Sequence, residues 1–274
     1  MTAVDNQTIT TLVTLRTLQK YKSQHDRFAC LTAYDASYAR LLAAAGVEVL
    51  LVGDSLGMVI QGQTNTLPVT IADMIYHARC VRRGSPDTLL IADMPFMSDM
   101  TPIQALGNAS RLLAEGGANV VKLEGGARLL DTVSLLAGRG VPVCAHLGLL
   151  PQSVNKLGGY SVQGRDAQAA RQIVQDAQDL ERAGADLVLL ECVPNALAEE
   201  VVARLKIPVI GIGAGPSCDG QVLVVYDMLG ITPGKPPRFV KNFLADYGDV
   251  QQAVAAYVEA VRNGTFPAPE HCFK

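Results

Sequence analysis

Tryptophan is absent from this 274-residue sequence, and aromatic residues of all kinds make up only 5% of it. Charge is sparse as well. Asp, Glu, Lys and Arg together reach 18%, and 26 acids against 23 Lys plus Arg leave a net charge of −3. A nearly balanced chain whose only adjacent basic pair is Arg82-Arg83 carries no basic patch for a polyanion, so no nucleic-acid partner is expected. Those two arginines read instead as the last turn of a helix ending at Gly84, where positive charge is favourable. No uninterrupted apolar run approaches the roughly 18 residues of a spanning helix, so no membrane partner is expected despite a mean hydropathy of +0.21. The first 14 residues are polar and Thr-rich, with neither a basic start nor an apolar stretch, and no secretory signal is expected there. The six cysteines, Cys30, Cys80, Cys144, Cys192, Cys218 and Cys272, form no CxxC pair. They read as small buried hydrophobes in a reducing compartment, the cytoplasm, rather than as a disulfide framework.

What the sequence has in quantity is short apolar runs, and 49% hydrophobic residues exclude intrinsic disorder. Strand candidates begin near Phe28, Val47, Thr88, Asn119, Val141, Asp186, Pro208 and Val222, eight in all. Runs this apolar suit parallel strands covered on both faces. Helical patterns fill the intervals at 36–45, 71–83, 102–115, 129–138, 167–183 and 195–205, with a final helix at 249–262 and an extra one at 12–22 that would cover the barrel bottom. Local signals agree: Thr70 with Asp73 forms a capping pattern, Thr101 precedes Pro102, and Gly46, Gly116, Gly140 and Gly184 stand where left-handed helix ends are needed. Strand–helix alternation with eight units predicts an α/β fold, a (β/α)8 TIM barrel with an extra N-terminal helix, as a single catalytic domain over residues 1–274. An open doubly wound sheet is the competing architecture; the lack of a GxGxxG after the first strand weakens its dinucleotide-binding form.

Two strand units nearly repeat. Gly117-Ala-Asn-Val-Val-Lys-Leu-Glu124 aligns with Gly184-Ala-Asp-Leu-Val-Leu-Leu-Glu191. The run from Gly46 reaches Asp54 with one extra residue, that from Thr88 ends in Asp93, and that from Gly140 ends in His146. Barrel enzymes place their chemistry at the shared rim of strand C-termini, and Lys122 and Glu124, two apart on one strand, face the same side. A lone acid after a strand is often the next helix's N-cap, but several on one rim repel and are costly to desolvate without a compensating cation. Asp54, Asp93 and Glu124 offer only oxygen, which suits Mg²⁺ with part of its shell left to water or substrate; His146 is either a ligand or a donor to a substrate oxygen.

An ordered series of segments carries a more specific message: Leu31-Thr-Ala-Tyr-Asp35, Leu51-Val-Gly-Asp-Ser-Leu-Gly57, Thr66-Leu-Pro-Val-Thr70, Ala92-Asp-Met-Pro-Phe96, Val121-Lys-Leu-Glu-Gly-Gly126, His146-Leu-Gly-Leu149, Pro151-Gln-Ser-Val-Asn155, Leu190-Glu-Cys-Val-Pro194 and Lys241-Asn-Phe243. Over nearly the whole chain, from about Leu18 to Phe273, this series resembles the ketopantoate hydroxymethyltransferase family. The resemblance implies a barrel of the phosphoenolpyruvate/pyruvate type. It implies transfer of a hydroxymethyl group from 5,10-methylenetetrahydrofolate to 3-methyl-2-oxobutanoate, giving 2-dehydropantoate in pantothenate biosynthesis. It also implies Mg²⁺ on Asp54, Asp93 and Glu124, the 2-oxo acid on Asp54, Ser55, Asp93 and Lys122, and Glu191 as the proton acceptor. Family members are homo-oligomers, commonly decamers.

The residues suit that chemistry. A metal polarises the 2-oxo group, Lys122 adds positive charge beside it, His146 is a further candidate hydrogen-bond donor to the substrate, and Ser55 fixes the carboxylate. Glu191, at the end of an apolar run, is the base, its proton affinity expected to rise on partial burial. A folate pocket is expected from the loops 158–164 and 213–220. The glycines of Gly211-Ile-Gly-Ala-Gly215 read as tight loop geometry, with a phosphate cradle as the alternative, and Glu270 and His271 as part of a surface or interface tail. A Mg²⁺-dependent carbon–carbon lyase or phosphonomutase is the rival enzyme, but the Lys-Lys-Cys-Gly-His loop common in such lyases does not occur. A silent barrel that merely binds a 2-oxo acid would not need the full set of acids.

Overall fold

The computed structural model describes residues 12–274. Among them, eight parallel strands close into a barrel in sequence order: β1 Phe28–Thr32, β2 Val49–Val52, β3 Leu89–Asp93, β4 Val120–Glu124, β5 Val143–Gly148, β6 Leu187–Glu191, β7 Val209–Ile212 and β8 Gly220–Leu223. The helices are α1 Leu15–Gln24, α2 Ala36–Ala44, α3 Leu56–Val59, α4 Ile71–Gly84, α5 Pro102–Ala114, α6 Leu130–Gly138, α7 Val154–Leu157, α8 Ala167–Ala183, α9 Asn195–Arg204, α10 Val225–Met228, α11 Phe243–Tyr247 and α12 Val250–Arg262. The expected TIM barrel is therefore present, and no helix among the described residues is long and apolar enough to cross a membrane. The expectation about a secretory signal falls mostly on residues 1–11, outside those described.

The strands alternate between two separate cores. Phe28, Cys30, Val49, Leu51, Leu89, Ile91, Val120, Cys144, Leu187, Leu189, Ile210 and Val222 fill the barrel interior, whereas their neighbours in sequence pack against the helices. Burial on both faces explains why the runs are continuously apolar rather than alternating. Leu18 of α1 is fully buried in the interior core, so this helix does cover the bottom of the barrel. Its range differs from the expected 12–22 because Thr14 forms a capping box with Thr17. The seam between β1 and β8 is tied by α12, where the Tyr257 hydroxyl lies 3.0 Å from the Cys30 carbonyl and 2.8 Å from that of Gln221.

Capping holds as anticipated at Thr70–Asp73 and at Thr101, and Arg82 and Arg83 do occupy the last turn of α4. After α5 the left-handed residue is Gly117, with φ of 76°, and not Gly116, whose added Cβ would stand 2.6 Å from the Leu112 carbonyl oxygen. The eighth strand begins at Gly220 rather than Val222: Gly220 already pairs with Phe28 of β1, and having no side chain it leaves room for the Phe28 ring. Val224 and Val225, expected in that strand, leave it: Val224 is the N-cap of α10 and Val225 its first residue, whose amide donates to Thr32 Oγ1. The short helices α3, α7, α10 and α11 carry too few turns to show a period in the sequence.

Candidate active site

The alternation that points Leu89 and Ile91 inward carries on to Asp93, and that of Val120 carries on to Lys122 and Glu124. Likewise Cys144 leads to His146, and Leu187 and Leu189 lead to Glu191. Five titratable side chains from β3 to β6 are thereby delivered to one end of the barrel interior. Asp54 arrives differently. It lies beyond the end of β2, and the turn at Gly53 folds it back; a Cβ at 53 would stand 2.7 Å from Ser55 Oγ. None of Asp54, Asp93, Glu124 and Glu191 is an N-cap of a helix.

Asp54, Asp93, Lys122, Glu124 and His146 are each buried to within 4% exposure, while the Glu191 side chain is 16% exposed. Lys122 Nζ lies 3.2 Å from Asp93 Oδ1, 3.9 Å from Glu124 Oε1 and 3.0 Å from His146 Nδ1. The Asp54 amide donates to Asp93 Oδ2 at 3.0 Å, so the ends of β2 and β3 are joined. His146 stands between two carboxylates, with Nδ1 3.4 Å from Glu124 Oε1 and Nε2 3.2 Å from Glu191 Oε2, the latter off the hydrogen-bond direction. An ammonium has no lone pair, so Lys122 must donate to Nδ1, which sets the imidazole proton on Nε2, towards Glu191. Ser55 Oγ is 2.9 Å from the hydroxyl of buried Tyr34, whose ring stacks on Tyr226.

Charge in this enclosure is unevenly compensated. Burial, and then the charges of Asp93 and Glu124, push the Asp54 carboxyl up to about 8, against the opposing pull of Lys122 and Gln152. Burial also raises Asp93, with Lys122 opposing. Glu124 resists burial because His146, Lys122 and the Gln152 amide favour its anion, and its pKa is lowered. Burial disfavours the Lys122 ammonium, but Asp93, Glu124 and Asp54 outweigh that and raise it. Burial and Lys122 favour neutral His146, whereas Glu124 and Glu191 favour its cation and win. The ring is thus poised between the charge the carboxylates prefer and the neutral form the Lys122 contact requires.

Three carboxylates around one ammonium are a donor set for a hard cation. Asp93 Oδ1 and Glu124 Oε1 are buried oxygens that accept no hydrogen bond, which is the condition a cation would relieve. Among the described residues no three His, Cys, Asp or Glu side chains form a ready-made metal cage. An ion such as Mg²⁺, which binds carboxylate oxygens and fills the rest of its octahedron with water and substrate oxygens, fits such an all-oxygen set better than zinc does.

The cavity above the cluster measures about 460 Å³. Its floor is the polar group just described, and its outer wall is Met58, Tyr160, Val162, Phe239 and Phe273, with Arg238 at the mouth. Of the two loops expected around a folate pocket, 158–164 lines this cavity through Tyr160, Ser161 and Val162, and 213–220 does not. The glycines of 211–215 serve packing: a Cβ at Gly211 would be 2.7 Å from Cys218 Sγ, and one at Gly215 would collide with the Asn195 side chain. Residues 237–239 and the C-terminal segment take that place. Glu270 is exposed at the surface, as expected, and the segment around it is held in place: Arg238 Nε donates to the Glu270 carbonyl, the Asn195 amide donates to the Phe273 carbonyl, and Phe273 lines the cavity. Two polar side chains here were not singled out in the sequence. Thr66 Oγ1 is buried in the cavity wall without a hydrogen-bond partner, and Gln152 contacts two of the acids. Each has only its position in a family-like segment as a signal.

The sequence model of the ketopantoate hydroxymethyltransferase family matches residues 12–269. The 3-methyl-2-oxobutanoate hydroxymethyltransferase of Nitrosococcus oceani is 60% identical over 258 residues, covering 94% of this chain and 98% of the relative. That of Shewanella oneidensis is 59% identical over 95% of this chain and 98% of its own. Among solved structures, a phosphonopyruvate hydrolase superposes with a TM-score of 0.61 at 13% identity, covering 95% of this chain and 91% of that one. A 2,3-dimethylmalate lyase of the PEP mutase/isocitrate lyase superfamily gives 0.58 at 19%, over 95% and 90%. At such identities these two likenesses speak for the fold alone.

Proposed function

The chain belongs to the ketopantoate hydroxymethyltransferase family, enzymes that transfer a hydroxymethyl group in pantothenate biosynthesis, and we propose that it moves the one-carbon unit of 5,10-methylenetetrahydrofolate onto carbon 3 of 3-methyl-2-oxobutanoate to give 2-dehydropantoate. The observation that supports this reading most is a division among the acids. Asp54, Asp93 and Glu124 are gathered with Lys122 in near-complete burial, whereas Glu191 is more open and touches His146. A reaction that forms an enolate needs both parts: fixed charge for the oxygen that becomes negative, and a separate base for the proton.

Asp54, Asp93 and Glu124 are the residues that would hold Mg²⁺, which when bound supplies Lewis-acid polarisation of the 2-oxo group. The remaining work is done by the chain itself. Ser55, oriented by Tyr34, binds the substrate carboxylate. Lys122 holds positive charge beside the 2-oxo oxygen before negative charge develops there, which is where preorganised electrostatics contributes most. Glu191 takes the proton from carbon 3, and His146 stands between it and Lys122, beside the base rather than reaching for the substrate. One carbon–nitrogen bond of the folate's methylene bridge opens, that nitrogen taking up a proton in place of the one carbon 3 gave up, and carbon 3 bonds to the methylene carbon; water then replaces the second nitrogen on that carbon, giving the hydroxyl and passing its proton to the tetrahydrofolate that leaves. The apolar outer wall of the cavity, with Tyr160, Phe239 and Phe273, suits the co-substrate's ring system.

The testing experiment is the transferase assay on purified protein with Mg²⁺. Product should form only when methylenetetrahydrofolate is present and should stop when EDTA removes the metal. Full turnover of the 2-oxo acid without a one-carbon donor would instead favour a lyase. The same reading assigns the enzyme to the cytoplasm, in keeping with six free cysteines. It also assigns a homo-oligomer, which light scattering of the purified chain decides.

A further inference from the structure

The loop that leaves β5 at Gly148 runs through Leu149, which is buried, and a 3-10 turn at Pro151–Ser153. Its start is fixed by the Leu149 amide, which donates to the Glu191 carbonyl at 2.8 Å. From this anchored position Gln152 reaches across the rim and makes three hydrogen bonds. Its backbone N–H donates to Glu124 Oε2 at 3.0 Å. Its side-chain Nε2 donates to Asp54 Oδ2 at 2.9 Å and to the Met94 carbonyl at 2.9 Å. The Met94 carbonyl can only accept, so the amide nitrogen must face it and the amide's orientation is unambiguous. One neutral residue thus ties together the ends of β2, β3 and β4, which carry Asp54, Asp93 and Glu124.

The chemistry of this strap is specific. Carboxylates that repel one another would swing apart if nothing but backbone held their strands. Gln152 holds one oxygen of Asp54 and one of Glu124 with donors that bring no charge, so it neither neutralises the cluster nor competes as a cation would. The oxygen of Glu124 that it leaves, Oε1, is the buried one that accepts no hydrogen bond. Such outer contacts orient carboxylates at cation sites and are commonly worth 10- to 100-fold in affinity. We propose that Gln152 is a positioning residue for the reaction: it fixes the spacing and rotation of Asp54 and Glu124 so that their other oxygens face a divalent cation. This rests on the functional reading above, in which those carboxylates hold Mg²⁺.

The test is calorimetric titration of Mg²⁺ alone into the purified full chain, without either substrate, for the wild type and for Gln152→Met, which keeps length and the backbone donation to Glu124 but removes the side-chain donations to Asp54 and the Met94 carbonyl. The expected result is a Kd for Mg²⁺ raised by about 10- to 100-fold, with an unchanged thermal midpoint in EDTA. The kcat of the variant at saturating Mg²⁺ should fall while KM for methylenetetrahydrofolate stays put. Equal Mg²⁺ affinity in wild type and variant would overturn the assignment while leaving the functional reading intact. A wild-type chain that binds no Mg²⁺ would remove the cation reading itself, and this proposal with it. Should Gln152→Met not fold, Gln152→Ala is judged by the same criteria. Loss of the fold in both would make Gln152 a strap for the structure and overturn its role in positioning.

Discussion

Strands β4 and β6 enter the barrel on nearly the same sequence, 117–124 and 184–191, and both end in an inward glutamate, yet the two carboxylates live differently. Glu124 is held by the Gln152 amide and stands near Lys122 and His146. Glu191 has His146 Nε2 beside it and is more open to the cavity. The strand pattern delivers both to the rim, and the neighbours then divide the labour. Where β4 carries Lys122, β6 carries Leu189, so one strand supplies a charged anchor and the other an apolar approach to a freer acid. A group held from several sides is suited to binding a cation, and one left with a single neighbour is suited to carrying a proton.

The largest expected effect comes from exchanging the two acids for their amides. Glu191→Gln should lower kcat for the transferase by about 10²–10⁴-fold, the usual range for a lost general base, while Mg²⁺ affinity in calorimetry stays as in wild type. Glu124→Gln should do the reverse in binding, weakening Mg²⁺ by about 10- to 100-fold or more. Equal loss of Mg²⁺ binding in both variants would erase the distinction. Next in size is Lys122→Leu, which gives β4 the residue that β6 has. It removes the ammonium from buried Asp93 and Glu124, and breaking a buried pair in this way costs about 3–5 kcal/mol. Urea unfolding in EDTA reads this, and a cost below about 1 kcal/mol would mean the anchor is weaker than its geometry. The smallest effect belongs to Tyr34→Phe, which leaves both glutamates alone and removes one hydrogen bond to Ser55, worth about 0.5–1.5 kcal/mol. It should raise KM for the 2-oxo acid by up to about tenfold without touching Mg²⁺ affinity; a change in metal binding would tie Ser55 to the wrong partner.

Much of this was legible in the sequence where a strand's period governs the result. Asp93, Lys122, Glu124, His146 and Glu191 follow from alternation along apolar runs, because a fully buried strand leaves each side chain only two directions. Asp54 and Ser55 lie past the strand end, on a turn that no period describes; the strand repeat reached Asp54 only with one extra residue, and Ser55 was pointed to by the family-like segment alone. Gln152 was out of reach for another reason: its three partners lie 28, 58 and 98 residues away, and nothing in Pro151-Gln-Ser marks a loop that crosses three strand ends. The outer wall was half read. Tyr160 lies in a glycine-flanked loop that invites the guess, whereas Phe239 and Phe273 reach the mouth only because the C-terminal segment folds back, held by the carbonyls of Glu270 and Phe273.

The account rests on Glu191 as the base beside a separately anchored acid cluster, and one measurement bears on it directly. Purified protein, Mg²⁺ and 3-methyl-2-oxobutanoate are incubated in deuterium oxide without folate, and the carbon-3 proton is followed by NMR. Wild type should exchange that proton, while Glu191→Gln should bind the 2-oxo acid as tightly and exchange it about 10²–10⁴-fold more slowly. Exchange at the wild-type rate in Glu191→Gln, or none in the wild type itself, would contradict the account.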